Sequence, residues 1–252
     1  MLAVERHRRI LELLQVNGSV RTVEIASGFG VTDETIRKDF EFLEHRGDLI
    51  RIHGGATRPA RAREELPLTE RQMIRREEKS AIAKLAVARI QPNDTIFLDA
   101  SSTTLTLTEF LPDMPLTILT NALNVFTALE NRSQCDLICT GGLYDRRSRS
   151  FIGLPAEAAL RRYNIHRMFC SGNGIDLERG ISETNSRQAS FKERVIANAE
   201  EVVYLADHSK LGQKASFFFG DISSLNCVIT DQAGDPDFLQ ALRERGVEVL
   251  KP

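Results

Sequence analysis

VTDETIRKDFEFLEHRGDLIRIHGGAT, residues 31–57, changes its hydrophobic period partway along, and that change decides the fold of the first part of the chain. Over DETIRKDFEFLEHRG (33–47), Ile36, Phe40 and Leu43 stand at i, i+4 and i+7, so they share one face of a helix. Thr32 or Asp33 supplies its N-cap. Glu34, Arg37, Lys38 and Glu41 project from the other side. After Gly47, Leu49, Ile50 and Ile52 are β-compatible and Gly54-Gly55 can turn the chain, which predicts a two-stranded wing.

Upstream, Ile10, Leu13 and Leu14 form a helical stripe led by Arg6, Arg8 and Arg9 and stopped by Asn17-Gly18. TVEIASGFG (22–30) is a second, short helical block joined through Val31-Thr32 to the third. Short helices in this order, the last with a polar outer face, predict a helix-turn-helix. A recognition helix needs an apolar back, small hydrogen-bonding groups near its start for base edges, and cations for phosphates. Thr32, Glu34, Thr35, Arg37 and Lys38 meet that need. Arg51 and His53 on the wing are placed for the sugar-phosphate backbone, and Arg21 joins them as a DNA-binding candidate.

The 252 residues are 42% hydrophobic and 27% charged, enough chain for one or two domains with a full core. Four scattered cysteines exclude a disulfide-stapled scaffold, and Cys135 and Cys139 on one strand face read as structural. No run reaches the ~18 apolar residues of a membrane span. MLAVERHRRI lacks the apolar stretch of a signal peptide, so a cytoplasmic location is expected. The net charge of −2 hides an asymmetry, since residues 1–63 hold 11 Lys and Arg against nine acids. Five histidines form no ligand motif, and neither metal nor cofactor is expected.

Residues 58–76, charged and carrying Pro59 and Pro67, read as a linker between a DNA-binding domain (1–57) and a second domain (77–252). In the second, EEKSAIAKLAVARI (77–90) is an amphipathic helix. TIFLDA, LTILTN, CDLICTGG, HRMFCSG, EVVYLAD and CVITD then alternate with helical segments, which predicts an α/β domain with a mainly parallel sheet covered on both faces. Ligands of such sheets sit at the carboxyl ends of the strands. Those ends carry Asp99-Ala100-Ser101-Ser102-Thr103-Thr104, Thr120-Asn121, Thr140-Gly141-Gly142, the run Gly172 to Asp176, and Asp207-His208-Ser209-Lys210. Small hydroxyl residues before a helix suit an anion. Arg146, in the polar loop after Gly142, adds a candidate phosphate clamp.

These residues carry a family resemblance. Arg6-x3-Ile10-x3-Leu14, followed by Thr32-x2-Thr35-Ile36-Arg37-Lys38-Asp39-Phe40 and by RIHGGA (51–56), resembles the DNA-binding domain of DeoR-type bacterial transcriptional regulators. Glu78-Lys79, DASST (99–103), Thr120-Asn121, Gly141-Gly142, Gly174-Ile175-Asp176, Asp207 to Lys210 and Thr230-Asp231 resemble that family's sensor domain, so the resemblance covers nearly the whole chain. It implies a winged helix-turn-helix and a sensor similar in fold to ribose-5-phosphate isomerase and glucosamine-6-phosphate deaminase. It further implies a homo-oligomer, dimer or tetramer, and an effector that is a phosphorylated sugar or polyol. Asp99, Ser101, Ser102, Thr103, Asn121, Gly141, Gly142, Asp176, Glu183 and Lys210 become effector contacts by that resemblance, with Thr104 and Arg146 beside them. Many members have Gly where this chain has Ser101, and a Cβ there restricts how a phosphate approaches.

The resulting expectation is a regulator, a repressor of a carbohydrate or polyol catabolic operon, that binds double-stranded operator DNA and has no catalytic residues. The alternative is an isomerase-like enzyme with an appended DNA-binding domain, in which Asp176, Glu183 and Lys210 would supply base and cation.

Overall fold

The computed structural model describes residues 3–45, 48–52, 54–57 and 68–252. The chain divides into two compact units, residues 1–63 and 64–252. In the first, α1 (Ala3–Asn17), β1 (Ser19–Arg21), α2 (Thr22–Phe29), α3 (Asp33–His45), β2 (Ile50–Ile52) and β3 (Gly55–Thr57) follow one another. Ile10, Leu14, Val20, Ile25, Ile36, Phe40, Leu43 and Leu49 meet in one core, so the three apolar stripes close on each other. Gly30 ends α2 in the left-handed conformation (φ 66°), which lets the chain turn directly into α3.

The wing has one strand more than the sequence reading gave it. β1 pairs antiparallel with β3 on the side opposite β2, so the sheet order is β1-β3-β2. Arg21 therefore ends a strand. A Cβ at Gly55 would lie 2.1 Å from the Val20 carbonyl oxygen, so only glycine permits this close pairing.

The second unit opens with α4 (Leu68–Met73) and α5 (Arg76–Val87). Residues 58–67 lie outside the described residues, but 68–76, read above as linker, are ordered structure of this unit. Leu68 is 2% exposed and α4 packs on a later helix, α6 (Ser102–Leu107). A single buried leucine anchors this helix, too little for a periodicity argument to register.

The remaining elements are β4 (Thr95–Leu98), β5 (Leu116–Thr120), α7 (Leu123–Leu129), β6 (Cys135–Cys139), β7 (Leu143–Asp145), β8 (Ser150–Ile152), α8 (Leu154–Leu160) and β9 (Ile165–Cys170). After them come β10 (Gly174–Asp176), β11 (Gly180–Glu183), α9 (Ser186–Ile196), β12 (Ala199–Leu205), β13 (Phe217–Gly220), β14 (Cys227–Ile229), α10 (Pro236–Glu244) and β15 (Glu248–Leu250). Seven strands form one sheet in the order β15-β14-β12-β9-β4-β5-β6, and every pairing is parallel. One core around Phe97, Phe191 and Tyr204 covers one face, and a second around Ile82, Ile118 and Phe169 covers the other. That is the predicted layered α/β architecture, with β15 as a seventh strand the sequence reading did not name.

From β4 the chain builds outward through β5 and β6, whereas β9, β12, β14 and β15 lie on β4's other side. The switch point thus falls between β4 and β9. In open parallel sheets the crevice outside the carboxyl ends of such strands is where ligands bind. Two small antiparallel groupings, β7-β8 and β10-β11-β13, stand beside the main sheet.

Candidate functional site

On the first unit the exposed face of α3 presents Glu34, Arg37 and Lys38. Thr32 caps the helix, its Oγ1 accepting from the Thr35 N–H at 3.3 Å and lying 2.9 Å from the Thr35 hydroxyl. Among the described residues neither Arg37 nor Lys38 makes an ion pair, so both charges face outward. Arg51 is committed instead: its backbone N–H and Nε both donate to the Glu44 carboxylate, at 2.9 and 2.6 Å, tying the wing to α3. His53 lies outside the described residues.

The sequence reading missed what seats α3. Asp39 lies on its buried face, takes a two-pronged hydrogen bond from Arg6 of α1, and has His7 Nε2 at 2.8 Å. Burial alone would push the Asp39 pKa up; the hydrogen bonds from Arg6 and His7 outweigh it and hold the carboxyl below its ordinary value. His7 also stacks on Phe42 with ring centroids 4.9 Å apart. An acid at i+3 from Ile36 and next to Phe40, on a helix face that must be dry, was the available signal, because such a group needs a buried partner.

In the second unit, Asp99 follows β4 and is 1% exposed. Its carboxylate accepts from the Ser101 N–H at 3.0 Å, the Thr104 hydroxyl, and the Ser171 N–H at 3.1 Å, and Lys192 Nζ lies 3.0 Å away. Ser171 follows β9, so Asp99 ties the two strands together across the switch point. Lys192 reaches in from α9, donates to the Ser171 carbonyl at 2.7 Å and pairs with Glu183 at 2.6 Å. Burial would raise the Asp99 pKa, yet the Lys192 charge and the donated hydrogen bonds hold it below the usual carboxylate range. Lys192 is pushed down by burial and up by Asp99 and Glu183, and the two carboxylates win.

Lys210 ends a short 3-10 helix (His208–Lys210) that follows β12, its Nζ donating to the Ser171 hydroxyl at 2.7 Å and lying 3.9 Å from Asp207. Burial holds its pKa below the ordinary lysine value, with Asp207 opposing. At the end of β5, Asn121 donates to the Phe151 carbonyl at 3.1 Å while its Oδ1 is buried without a hydrogen-bond partner. The Thr103 Oγ1 is buried and unpartnered likewise. Ser102 is buried beside it, in the first turn of α6. Gly141 and Gly142 follow β6 with φ 64° and 115°, and a Cβ on Gly142 would meet the Ile152 carbonyl oxygen at 2.7 Å.

Asp99, Ser101, Thr104, Glu183 and Lys210 are thus joined, through Ser171 and Lys192, in one hydrogen-bonded network. Among the described residues, Ser102, Thr103, Asn121, Gly141 and Gly142 are not bonded into it, and neither are Arg146 and Asp176. Arg146 is exposed in the β7–β8 turn. Asp176 accepts from the Glu178 and Arg179 N–H groups at 3.1 and 2.9 Å and pairs with Lys214 at 3.2 Å, so its carboxylate shapes the β10–β11 turn.

Residues 6–62 match the family model for the DeoR-like helix-turn-helix domain, and residues 74–232 match that for the DeoR C-terminal sensor domain. The chain belongs to the DeoR family. The putative aga operon transcriptional repressor of Escherichia coli O157:H7 is 32% identical over 98% of this chain and 93% of its own length. The L-fucose operon activator of Haemophilus influenzae is 32% identical over 95% of this chain and 96% of its own length. Ribose 5-phosphate isomerase A of Methanocaldococcus jannaschii is similar at a TM-score of 0.41 and 17% identity, over 54% of each chain.

In this DeoR-family chain the serine at 101 is unstrained. Its φ of −94° and ψ of 155° are ordinary extended backbone, and its hydroxyl caps α6 by accepting from the Thr104 N–H. Lys192, which the sequence reading did not single out, is the largest omission from the site.

Proposed function

We propose that this DeoR-family regulator is a repressor of a carbohydrate or polyol operon, and that a phosphorylated sugar or polyol at the carboxyl ends of β4, β5, β9 and β12 modulates its operator binding. The observation that carries this reading is that Thr103 Oγ1 and Asn121 Oδ1, both buried and unpartnered, and Lys210 follow the carboxyl ends of β4, β5 and β12 in one parallel sheet. A buried polar atom without a partner costs about 1–3 kcal/mol, which a hydroxyl-rich ligand recovers. The cation matches a phosphate. The protein acts in the cytoplasm as a homo-oligomer, dimer or tetramer, because a single winged domain touches little DNA and paired half-sites call for a two-fold.

Sensing without turnover is supported by how the candidate acids are engaged. Isomerisation needs a carboxylate free to take a proton. Glu183 is held in an ion pair with Lys192 at 2.6 Å, and Asp176 is taken by its turn and Lys214. Product analysis after incubation with sugar phosphates should therefore find no conversion.

The direct test is thermal stability of the purified chain against phosphorylated sugars and their unphosphorylated counterparts. A ligand at 100 times its dissociation constant adds about 2.7 kcal/mol. One phosphorylated compound should raise the midpoint while its unphosphorylated form does not; a flat panel with operator binding intact would refute the effector reading.

For the DNA face, Arg37→Ala or Lys38→Ala should weaken operator binding by roughly 1–3 kcal/mol where the side chain reads a base. Loss of a phosphate contact should instead weaken all sequences alike and reduce the salt slope by about 1. Unaltered binding in both variants, measured across a salt series, would remove α3 as the recognition helix.

A further inference from the structure

The turn between α4 and α5 brings Arg75 to the Asp207 carboxylate beside Lys210, with Lys79 and Arg71 close by. Arg75 Nε lies 3.7 Å from Asp207 Oδ1, and Lys210 Nζ lies 3.9 Å from Asp207 Oδ2. Lys79 is buried and directs its ammonium at the Ile74 carbonyl, 2.7 Å away, and at that of Arg71. Among the described residues no carboxylate lies within ion-pair distance of Lys79. Arg71 adds its charge near both Lys79 and Lys210. Burial, and then the charge of Lys210, push the Lys79 pKa down to about 8. Asp231 is occupied by His208, whose backbone N–H donates to it at 2.8 Å.

The backbone at this turn is strained. Arg75 sits in the left-handed region, φ 52° and ψ 49°, where a residue with a Cβ costs about 1–3 kcal/mol and persists only if its surroundings hold it. Lys79 is one such hold, closing the turn by hydrogen-bonding back to Arg71 and Ile74. Leu68 provides the other by packing α4 on α6. The segment 68–79 therefore touches both walls of the candidate crevice: α6, which follows the Asp99 loop, and the end of β12, where Asp207 stands.

Resting on the reading that the effector is an anionic ligand at the strand ends, we propose that this α4–α5 strap is part of the effector site and transmits its occupancy. Arg75 leaves Asp207 for the anionic group of the effector, beside Lys210, and the strap moves with it. A planar guanidinium offers paired N–H donors that match a phosphate, and charge-assisted bonds of this kind are about twice as strong as neutral ones. Asp207 stays satisfied when Arg75 leaves, since the Ser209 N–H and hydroxyl both donate to its Oδ1, at 3.1 and 2.5 Å. The strap is the first described part of the sensor unit.

The test uses the full chain with inorganic phosphate as probe, ionic strength being held constant with chloride. Two readouts are followed, the thermal midpoint and hydrogen exchange of the amides of residues 68–79. Phosphate should raise the wild-type midpoint and alter exchange in the strap. Arg75→Gln should weaken phosphate about tenfold or more, Arg75→Lys should fall between, and Arg76→Gln, a neighbouring exposed cation, should behave as wild type. Equal phosphate response in wild type and Arg75→Gln, with strap exchange unmoved in the wild type, overturns the proposal and leaves the anionic-effector reading standing. No phosphate response in any variant, together with a flat panel of phosphorylated sugars, overturns both. If Arg75→Gln does not fold, Arg75→Lys and the wild-type exchange decide by the same criteria.

Discussion

Replacing Lys192 with methionine is expected to destabilise the sensor unit by about 3–5 kcal/mol, the range for removing one partner of a buried ion pair. Lys192 is the common cation of Asp99 and Glu183, both buried, and its side chain is 4% exposed. Methionine keeps most of the length of the side chain but leaves two carboxylates without this counter-charge. The response to pH should change sign. In the wild type the Asp99 pKa is depressed in the folded state, so its contribution is present above the unfolded value near 4 and is lost as pH falls below it. Without Lys192, burial dominates and raises the folded pKa. Protonation then favours the folded form, and the variant should gain stability as pH falls from 7 towards 5. Urea unfolding at two pH values reads both effects. A loss below about 1 kcal/mol, or an unaltered pH slope, would show that Lys192 is not what holds the switch point closed.

The second large effect is expected from Asp39→Ala. It leaves the Arg6 guanidinium buried without its carboxylate, which again costs about 3–5 kcal/mol. A unit of this size has a total stability of roughly 3–9 kcal/mol at ~0.05–0.15 kcal/mol per residue, so the substitution removes about a third of it or more. The DNA-binding unit should therefore melt separately and early, operator binding should be lost, and the thermal transition of the sensor unit should persist. Asp39→Asn, which keeps the shape and one acceptor, should retain more stability. Unchanged operator affinity in Asp39→Ala would mean that α3 is seated by its apolar face alone.

These two residues also mark where the sequence stopped being legible. Period and turn chemistry located α1, α2, α3, the wing and six of the seven parallel strands, because each rests on several residues whose spacing repeats. They also pointed to the strand ends that carry Asp99 and Lys210, while Glu183, on β11, came only from the family resemblance. Asp39 and Lys192 were passed over because a charge on a mostly apolar helix face reads as an interruption of the pattern. Read instead as a group that cannot be buried alone, each calls for a partner, and Arg6 and Asp99 answer. No such reading could pair them, since 33 residues separate Arg6 from Asp39 and only the fold brings them together.

Short elements escaped for a different reason. β1, β15 and α4 have three, three and six residues, too few for a period to repeat. Their stability comes from pairing with β3, from pairing with β14, and from one buried leucine. Asp176 illustrates a further limit. Its sequence context resembled that of a ligand contact, while its carboxylate is taken by two backbone N–H groups of its own turn and by Lys214, which only the local backbone path could reveal.

The most direct test of the central idea, that ligand binding at the strand ends weakens the hold on DNA, is a linkage measurement on the full chain. Operator fragments are first selected from genomic DNA, and the phosphorylated compound that shifts the thermal midpoint is then titrated with and without saturating operator. Linkage requires the compound to bind the operator complex more weakly by the same factor by which it lowers operator affinity. The expected factor is 5-fold to 150-fold, the usual span of such couplings. Equal affinity for free and operator-bound protein would contradict the account, because a ligand that does not distinguish the two states cannot shift the balance between them.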